Sequence, residues 1–179
     1  RREGLKNIVE LGCGQGRDTL FFARNGFKVQ SLDYSEGGVR IVSERARALG
    51  LAGRIHVIQH DLRKPLPFNE NSFDARYAHM VYCMAFTTLE LEFISAEVQR
   101  VLKPGGFIVY TVRNKEDPHY GKGIYRGGDI YEMNGFVVHY FDKNRIRQLA
   151  KGFKIVRIER CEESSLPRRL FRVIMKKIG

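Results

Sequence analysis

The sequence predicts an α/β domain, a mostly parallel β-sheet with helices on both faces. Three observations predict it. Strand-like and helix-like segments alternate from residue 7 to residue 112, a glycine-rich turn joins the first strand to the first helix, and two strand-like segments follow one another near the C-terminal end. Alternation implies parallel pairing through helical crossovers, and the final pair implies an antiparallel hairpin at one edge. The 179 residues suit a single domain with a sizeable core, and 43% apolar with 28% charged residues argues against disorder. No run approaches the roughly 18 apolar residues of a membrane span, and no signal-peptide pattern is present, so a cytoplasmic protein is expected. Cys13, Cys83 and Cys161 are too few and too scattered for a disulfide framework or a paired-cysteine zinc site. No metal is expected. The chain starts at Arg1, and a natural start upstream of it is expected.

Each element has its own signal. Asn7 to Leu11 is a short apolar run ending in glycines, hence a buried strand. Arg17 to Asn25 reads as a helix stopped by Gly26, and Phe27 to Leu32 as the second strand. Glu36 to Leu49 carries Val39, Val42, Ala46 and Leu49 at helical spacing, with Gly50 closing it. Arg54 to Gln59 and Phe73 to His79 are the third and fourth strands, separated by the turn at Pro65 and Pro67. Thr87 with Glu90 forms a capping box for a helix through Leu102, and Lys103-Pro104-Gly105-Gly106 turns the chain into a strand from Phe107 to Val112. Residues 113 to 140 show no clear period and hold five glycines, which predicts a long, functional insertion. A short helix from Asp142 to Ala150 and strands at Phe153 to Arg160 and Leu170 to Lys176 complete the chain.

The segment Glu10-Leu11-Gly12-Cys13-Gly14-Gln15-Gly16 lies where the first strand passes into the first helix. Glycines there let the backbone turn tightly and approach a ligand, while the helix start presents free N–H groups. Asp33 closes the second strand, where an acid accepts hydrogen bonds from ribose hydroxyls. A dinucleotide site has the spacing Gly-x-Gly-x-x-Gly; here the third glycine comes two residues after the second, which disfavours an NAD-dependent oxidoreductase.

The spacing Glu-x-Gly-x-Gly-x-Gly resembles motif I of the class I S-adenosylmethionine-dependent methyltransferases. The likeness continues through Leu32-Asp33-Tyr34-Ser35, His60-Asp61-Leu62, Leu66-Pro67-Phe68, Asn71-Ser72-Phe73-Asp74 and Leu102-Lys103-Pro104-Gly105-Gly106. Small methyltransferases of the tellurite-resistance and type 11 kinds look most similar. The resemblance implies a Rossmann-like, seven-stranded sheet with an antiparallel last strand. It also implies one methyltransferase domain over 1–179, with a substrate-side insertion at about 113–141, and S-adenosylmethionine as methyl donor. By position, Glu10, Gly12, Cys13, Gly14 and Gly16 would line the methionine and ribose side of the cofactor. Asp33 would hold the ribose, Tyr34 would pack on the adenine, and Asp61 and Leu62 would meet its edge. Ala78 and His79 would face the methionine end.

Methyl transfer needs alignment of a nucleophile and exclusion of water, with a base only where the acceptor must lose a proton. His79, Tyr120 and His139 are the candidate catalytic residues, with Tyr82, Arg113 and His119 as further positioners. Ala78-His79-Met80-Val81 stands where an exocyclic-amine DNA methyltransferase would carry Asn-Pro-Pro-Tyr or Asp-Pro-Pro-Tyr, and Cys83 is not preceded by proline. These absences favour a small-molecule acceptor. The net charge is +11, and +8 of it falls between Asp142 and Gly179. That basic stretch keeps open a second reading, a methyltransferase-fold protein binding or modifying RNA.

Overall fold

The computed structural model describes residues 4–163 and 167–179; residues 1–3 of the expected domain lie outside the described part. Ten strands and four helices are described. The first half runs β1 (Asn7–Leu11), α1 (Arg17–Arg24), β2 (Lys28–Asp33), α2 (Glu36–Ala48), β3 (Ile55–Gln59), β4 (Phe73–His79) and α3 (Thr88–Val101). The second runs β5 (Leu102–Arg113), β6 (Ile124–Gly127), β7 (Ile130–Met133), β8 (Phe136–His139), α4 (Lys143–Gln148), β9 (Phe153–Glu163) and β10 (Arg168–Lys177).

Seven strands form one sheet in the order β3-β2-β1-β4-β5-β10-β9. The first five are parallel, and β10 runs antiparallel between β5 and β9. The order reverses at β1 and β4, whose carboxyl ends therefore frame the crevice where open α/β sheets bind ligands. On one face Leu20, Ala23, Val42 and Ala46 of α1 and α2 pack on Val29 and Ile55. On the other, Leu91, Ile94 and Val98 of α3 and Ile146 of α4 join the larger core around Val9, Leu11, Tyr110 and Val173. One cap is the one the sequence predicts, and the structure adds two more. Thr87 and Glu90 form the reciprocal capping box, Ser35 caps α2, and Asp142 caps α4.

Two segments differ from expectation. The Lys103–Gly106 turn lies inside β5, which already begins at Leu102. Pairing with β4 jumps from Phe73↔Leu102 to Ala75↔Phe107, so the extra residues bulge out at Gly105, whose φ is 74°. Residues 113–140 are not a plain loop. They contain a separate three-stranded meander, β6-β7-β8. Gly128-Asp129 and Asn134-Gly135 make its two hairpin turns, and all four residues have positive φ, as type I′ turns require. The insertion is closed at its base by a bridge between Asn114 and Phe141, with Phe141 N–H donating to the Arg113 carbonyl at 2.8 Å.

Candidate active site

The glycine turn is held by contacts that only glycine permits. Gly12 has φ 71°, and a Cβ on it would lie 2.3 Å from Val81 Cγ2; Gly16 has φ 81°, and its Cβ would lie 2.7 Å from Val42 Cγ2. The turn is thus pressed between the end of β4 and helix α2. Gly12 and Cys13 both donate to the Leu32 carbonyl, and no side chain caps α1 at Gly16, leaving that helix start open toward the turn. Asp33 locks the loop from the side. It accepts from Gly14 N–H at 2.7 Å through one oxygen and from Ser35 N–H at 2.9 Å through the other.

Glu10 does not reach the surface of this turn. It is 2% exposed and accepts hydrogen bonds from Thr19 and, at 2.9 Å, from Ser31. Burial pushes its carboxyl up to about 7, against the pull of those two hydroxyls. Cys13 is buried, and burial raises its thiol to about 12, which leaves it unreactive. Tyr34 is 70% exposed, with the Arg63 guanidinium 5.9 Å from its ring centroid. Arg63 also pairs with Asp61 through Nε at 2.9 Å, so one arginine links the two residues assigned to adenine. Leu62 and Ala78 are buried in the larger core.

The end of β4 forms a wall with two sides. Val81 touches the glycine turn, while Met80 faces a pocket of about 610 Å³. Met80 has φ 54°, an uncommon left-handed conformation for a non-glycine residue. The pocket's apolar lining includes Met80, Met84, Met133, Phe136, Val137 and Val138; Arg113, His119, Lys122 and Arg168 bring polar groups to it.

His79 is engaged at both ring nitrogens, with Nε2 3.0 Å from Glu163 and Nδ1 2.9 Å from Thr111 Oγ1. The Thr111 hydroxyl also accepts from Met80 N–H at 3.1 Å, tying this ring to the start of the segment after β4. Tyr120 does not line the pocket. It donates to Asp129 at 2.8 Å and stands behind Tyr131 and Tyr140, with ring centroids 5.4 Å from each. His139 is 1% exposed, packed 5.1 Å from Phe141, and burial lowers its pKa below the ordinary histidine value. Tyr82 is a core residue whose ring lies under the fully buried Arg76 guanidinium at 4.3 Å. None of His79, Tyr120 and His139 is in the pocket lining; His79 stands nearest in sequence, one residue before Met80 at the end of β4.

Asp117, which sequence reasoning passed over, organises the insertion. Its side chain is fully buried and accepts from Arg113 at 2.6 and 3.0 Å, from His119 N–H at 2.9 Å and from Arg169 N–H at 3.0 Å. Burial alone would raise its pKa; the guanidinium and the two N–H groups outweigh burial and hold the carboxyl below its usual value. The Asp117-Pro118 pair, a turn signal, was the available clue.

The strand order, the glycine turn and the acid ending β2 define a class I S-adenosylmethionine-dependent methyltransferase. More particularly, the chain belongs to the methyltransferase domain family, which it matches over residues 8–106. It is 33% identical over 112 residues to the sterol 4-C-methyltransferase strm-1 of Caenorhabditis elegans, a match covering 62% of this chain and 32% of that protein. The chain thus spans about a third of that relative. A SAM-dependent methyltransferase structure from Methanosarcina mazei superposes with TM-score 0.79 at 24% identity, covering 96% of this chain and 92% of that one. The 1,6-didemethyltoxoflavin-N1-methyltransferase of Burkholderia thailandensis, solved with 1,6-didemethyltoxoflavin and S-adenosylhomocysteine, superposes with TM-score 0.77 at 17% identity, covering 97% and 71%. At those identities the likeness establishes the fold.

Proposed function

We propose that this chain transfers the methyl group of S-adenosylmethionine to a small-molecule acceptor seated in the 610 Å³ pocket. The observation that carries this reading is the shared wall, with Val81 against the glycine turn on one side and Met80 lining the pocket on the other. A cofactor cradled by the turn and an acceptor in the pocket would meet across a single strand end. The residues fit the adenosyl group: a backbone turn without side chains, an open helix start, a carboxylate at the end of β2 and an exposed aromatic ring beyond it.

When bound, the cofactor supplies a methyl on a sulfonium; an acceptor lone pair forms the new bond while the carbon–sulfur electron pair returns to sulfur. The protein's share is binding, alignment and exclusion of water. In this reading Asp33 accepts from the ribose hydroxyls, while Tyr34, Asp61 and Leu62 serve the adenine. The backbone of residues 12–16 borders the methionine side, and Ala78 and His79 end the strand beside it. Glu10 acts from beneath, fixing Thr19 and Ser31. His79 is a positioning residue, because Glu163 and Thr111 occupy both its nitrogens.

The RNA-directed reading is less well supported. Five of the twelve lysines and arginines of the basic C-terminal stretch are paired with acids, through Arg157–Glu159, Arg160–Glu116, Arg168–Glu163, Arg169–Glu162 and Arg172–Glu159. Those acids dilute the field that phosphate binding needs. Calorimetric titration with S-adenosylmethionine, S-adenosylhomocysteine and NAD tests the cofactor. The two adenosyl ligands are expected to bind and NAD is not; NAD binding alone would overturn the assignment. Asp33→Ala is expected to weaken the adenosyl ligands about 10- to 100-fold, the loss of charge-assisted hydrogen bonds.

A further inference from the structure

We infer that the pocket selects an apolar molecule carrying an anionic group, which makes the methyl acceptor an amphipathic anion. This rests on the methyltransferase reading and adds the acceptor's chemical class to it. The inference starts from the sign of the charges. Lys122, Arg113 and Arg168 line the pocket, and among the described residues no aspartate or glutamate does. Two acids pair with groups at this wall. Asp117 is fully buried against Arg113, and Glu163 lies between His79 and Arg168.

The three cations are not equally committed. Arg113 gives Nε and Nη2 to Asp117, shares Nη2 with His119, and lies 5.4 Å from the Tyr140 ring centroid. Arg168 spends only Nη1, on Glu163 at 3.2 Å. The Lys122 ammonium has no hydrogen bond or ion pair among the described residues. It therefore meets an incoming anion with nothing to displace but water. His119 Nδ1 lies 2.9 Å from Arg113 Nη2 and 3.2 Å from Asp117 Oδ1, so that side of the ring is engaged with the Arg113–Asp117 pair.

The remainder of the lining sets the other half of the ligand. Met80, Met84, Met133, Phe136, Val137 and Val138 are apolar, and the three methionines adapt to irregular shapes. Phe136 is 75% exposed and Met84 54%, so two large apolar side chains stand in water at the edge of the pocket. An apolar body covering them removes that surface from water, and the cation of Lys122 beside it fixes the ligand's orientation.

Two probes with one apolar frame and opposite charge status test this. 8-Anilinonaphthalene-1-sulfonate is an apolar anion; N-phenyl-1-naphthylamine is the same frame without the sulfonate. Binding of each to the full chain, with S-adenosylhomocysteine present, is measured by fluorescence titration and calorimetry. The anion is expected to bind at one site, roughly tenfold tighter than the neutral probe, the size of one charge-assisted contact. Lys122→Glu is expected to abolish that preference while leaving the neutral probe unchanged, and Phe136→Ser to weaken both probes. Equal binding of the two probes, or a preference that survives Lys122→Glu, would overturn the inference. So would failure of both probes to bind while S-adenosylhomocysteine binds normally, and that outcome leaves the methyltransferase reading intact. Absent S-adenosylhomocysteine binding would instead remove that reading, and the acceptor assignment with it.

Discussion

The glycine-turn end and the pocket end of this molecule are built by different means. Around the glycine turn the working groups are mainly backbone atoms, held by the end of β2 and by close approach to Val42 and Val81: Gly12 and Cys13 donate to the Leu32 carbonyl, Gly14 donates to Asp33, and Gly16 starts α1. Around the pocket they are side chains from residues 80–85, the insertion and β10, held together by Asp117 and the aromatic cluster of Tyr120, Tyr131 and Tyr140. The first arrangement permits almost no change of residue type. The second permits many, provided the anchor holds.

Substitutions that strike one end only put this contrast at risk. Asp117→Ala carries the largest expected effect, about 3–5 kcal/mol of stability, because it leaves the half-buried Arg113 and two backbone N–H groups without their acceptor. S-adenosylhomocysteine affinity of the folded fraction is expected to stay unchanged. A denaturant curve with parallel calorimetry checks both, and a loss of cofactor affinity would show that the two ends are coupled.

Next come paired glycine changes. Gly12→Ala brings a Cβ to 2.3 Å from Val81 Cγ2 at φ 71°, and is expected to cost about 2–5 kcal/mol from strain and overpacking together. Gly14→Ala, at φ 53° with no protein atom within 4 Å of its Cβ, is expected to cost only the conformational share, about 1–2 kcal/mol. Similar losses for the two would refute the close-approach argument.

A pH dependence is expected as well, spread over the range in which Glu10 titrates. Glu10 holds its proton up to about pH 7 when folded, against 4.5 as the ordinary value. The folded state binds that proton more tightly. Its contribution is therefore full below pH 4.5 and is lost as pH rises through 7, amounting to at most about 3 kcal/mol. Glu10→Gln is expected to flatten the fall in melting temperature between pH 5 and pH 8. An identical fall in both proteins would place the titration elsewhere.

The same contrast explains what the sequence made legible. A backbone requirement leaves its mark as residue type at fixed spacing, and Glu10, Gly12, Gly14, Gly16 and Asp33 carry that mark. Helices and strands with long periods were legible for a related reason: Val39, Val42 and Ala46 repeat often enough to define a face. The meander was not. Its strands are four residues long, too short for alternation to stand out, and the signal that remained was Asn134-Gly135, a two-residue hairpin turn set among β-formers. Glu10 was legible as an acid of the motif but not as a buried one, because burial depends on Thr19 and Ser31 arriving from α1 and β2.

The bridge between Asn114 and Phe141 places the two ends of the insertion on adjacent strand positions, roughly 5 Å apart. Together with Asp117, which ties the start of the insertion to Arg113 and Arg169, that bridge closes the loop at its base. With both in place, a change in the length of the hairpins beyond Asp117 costs little further closure entropy. Such a change alters the pocket lining contributed by residues 131–138 and lies apart in sequence from the glycine turn.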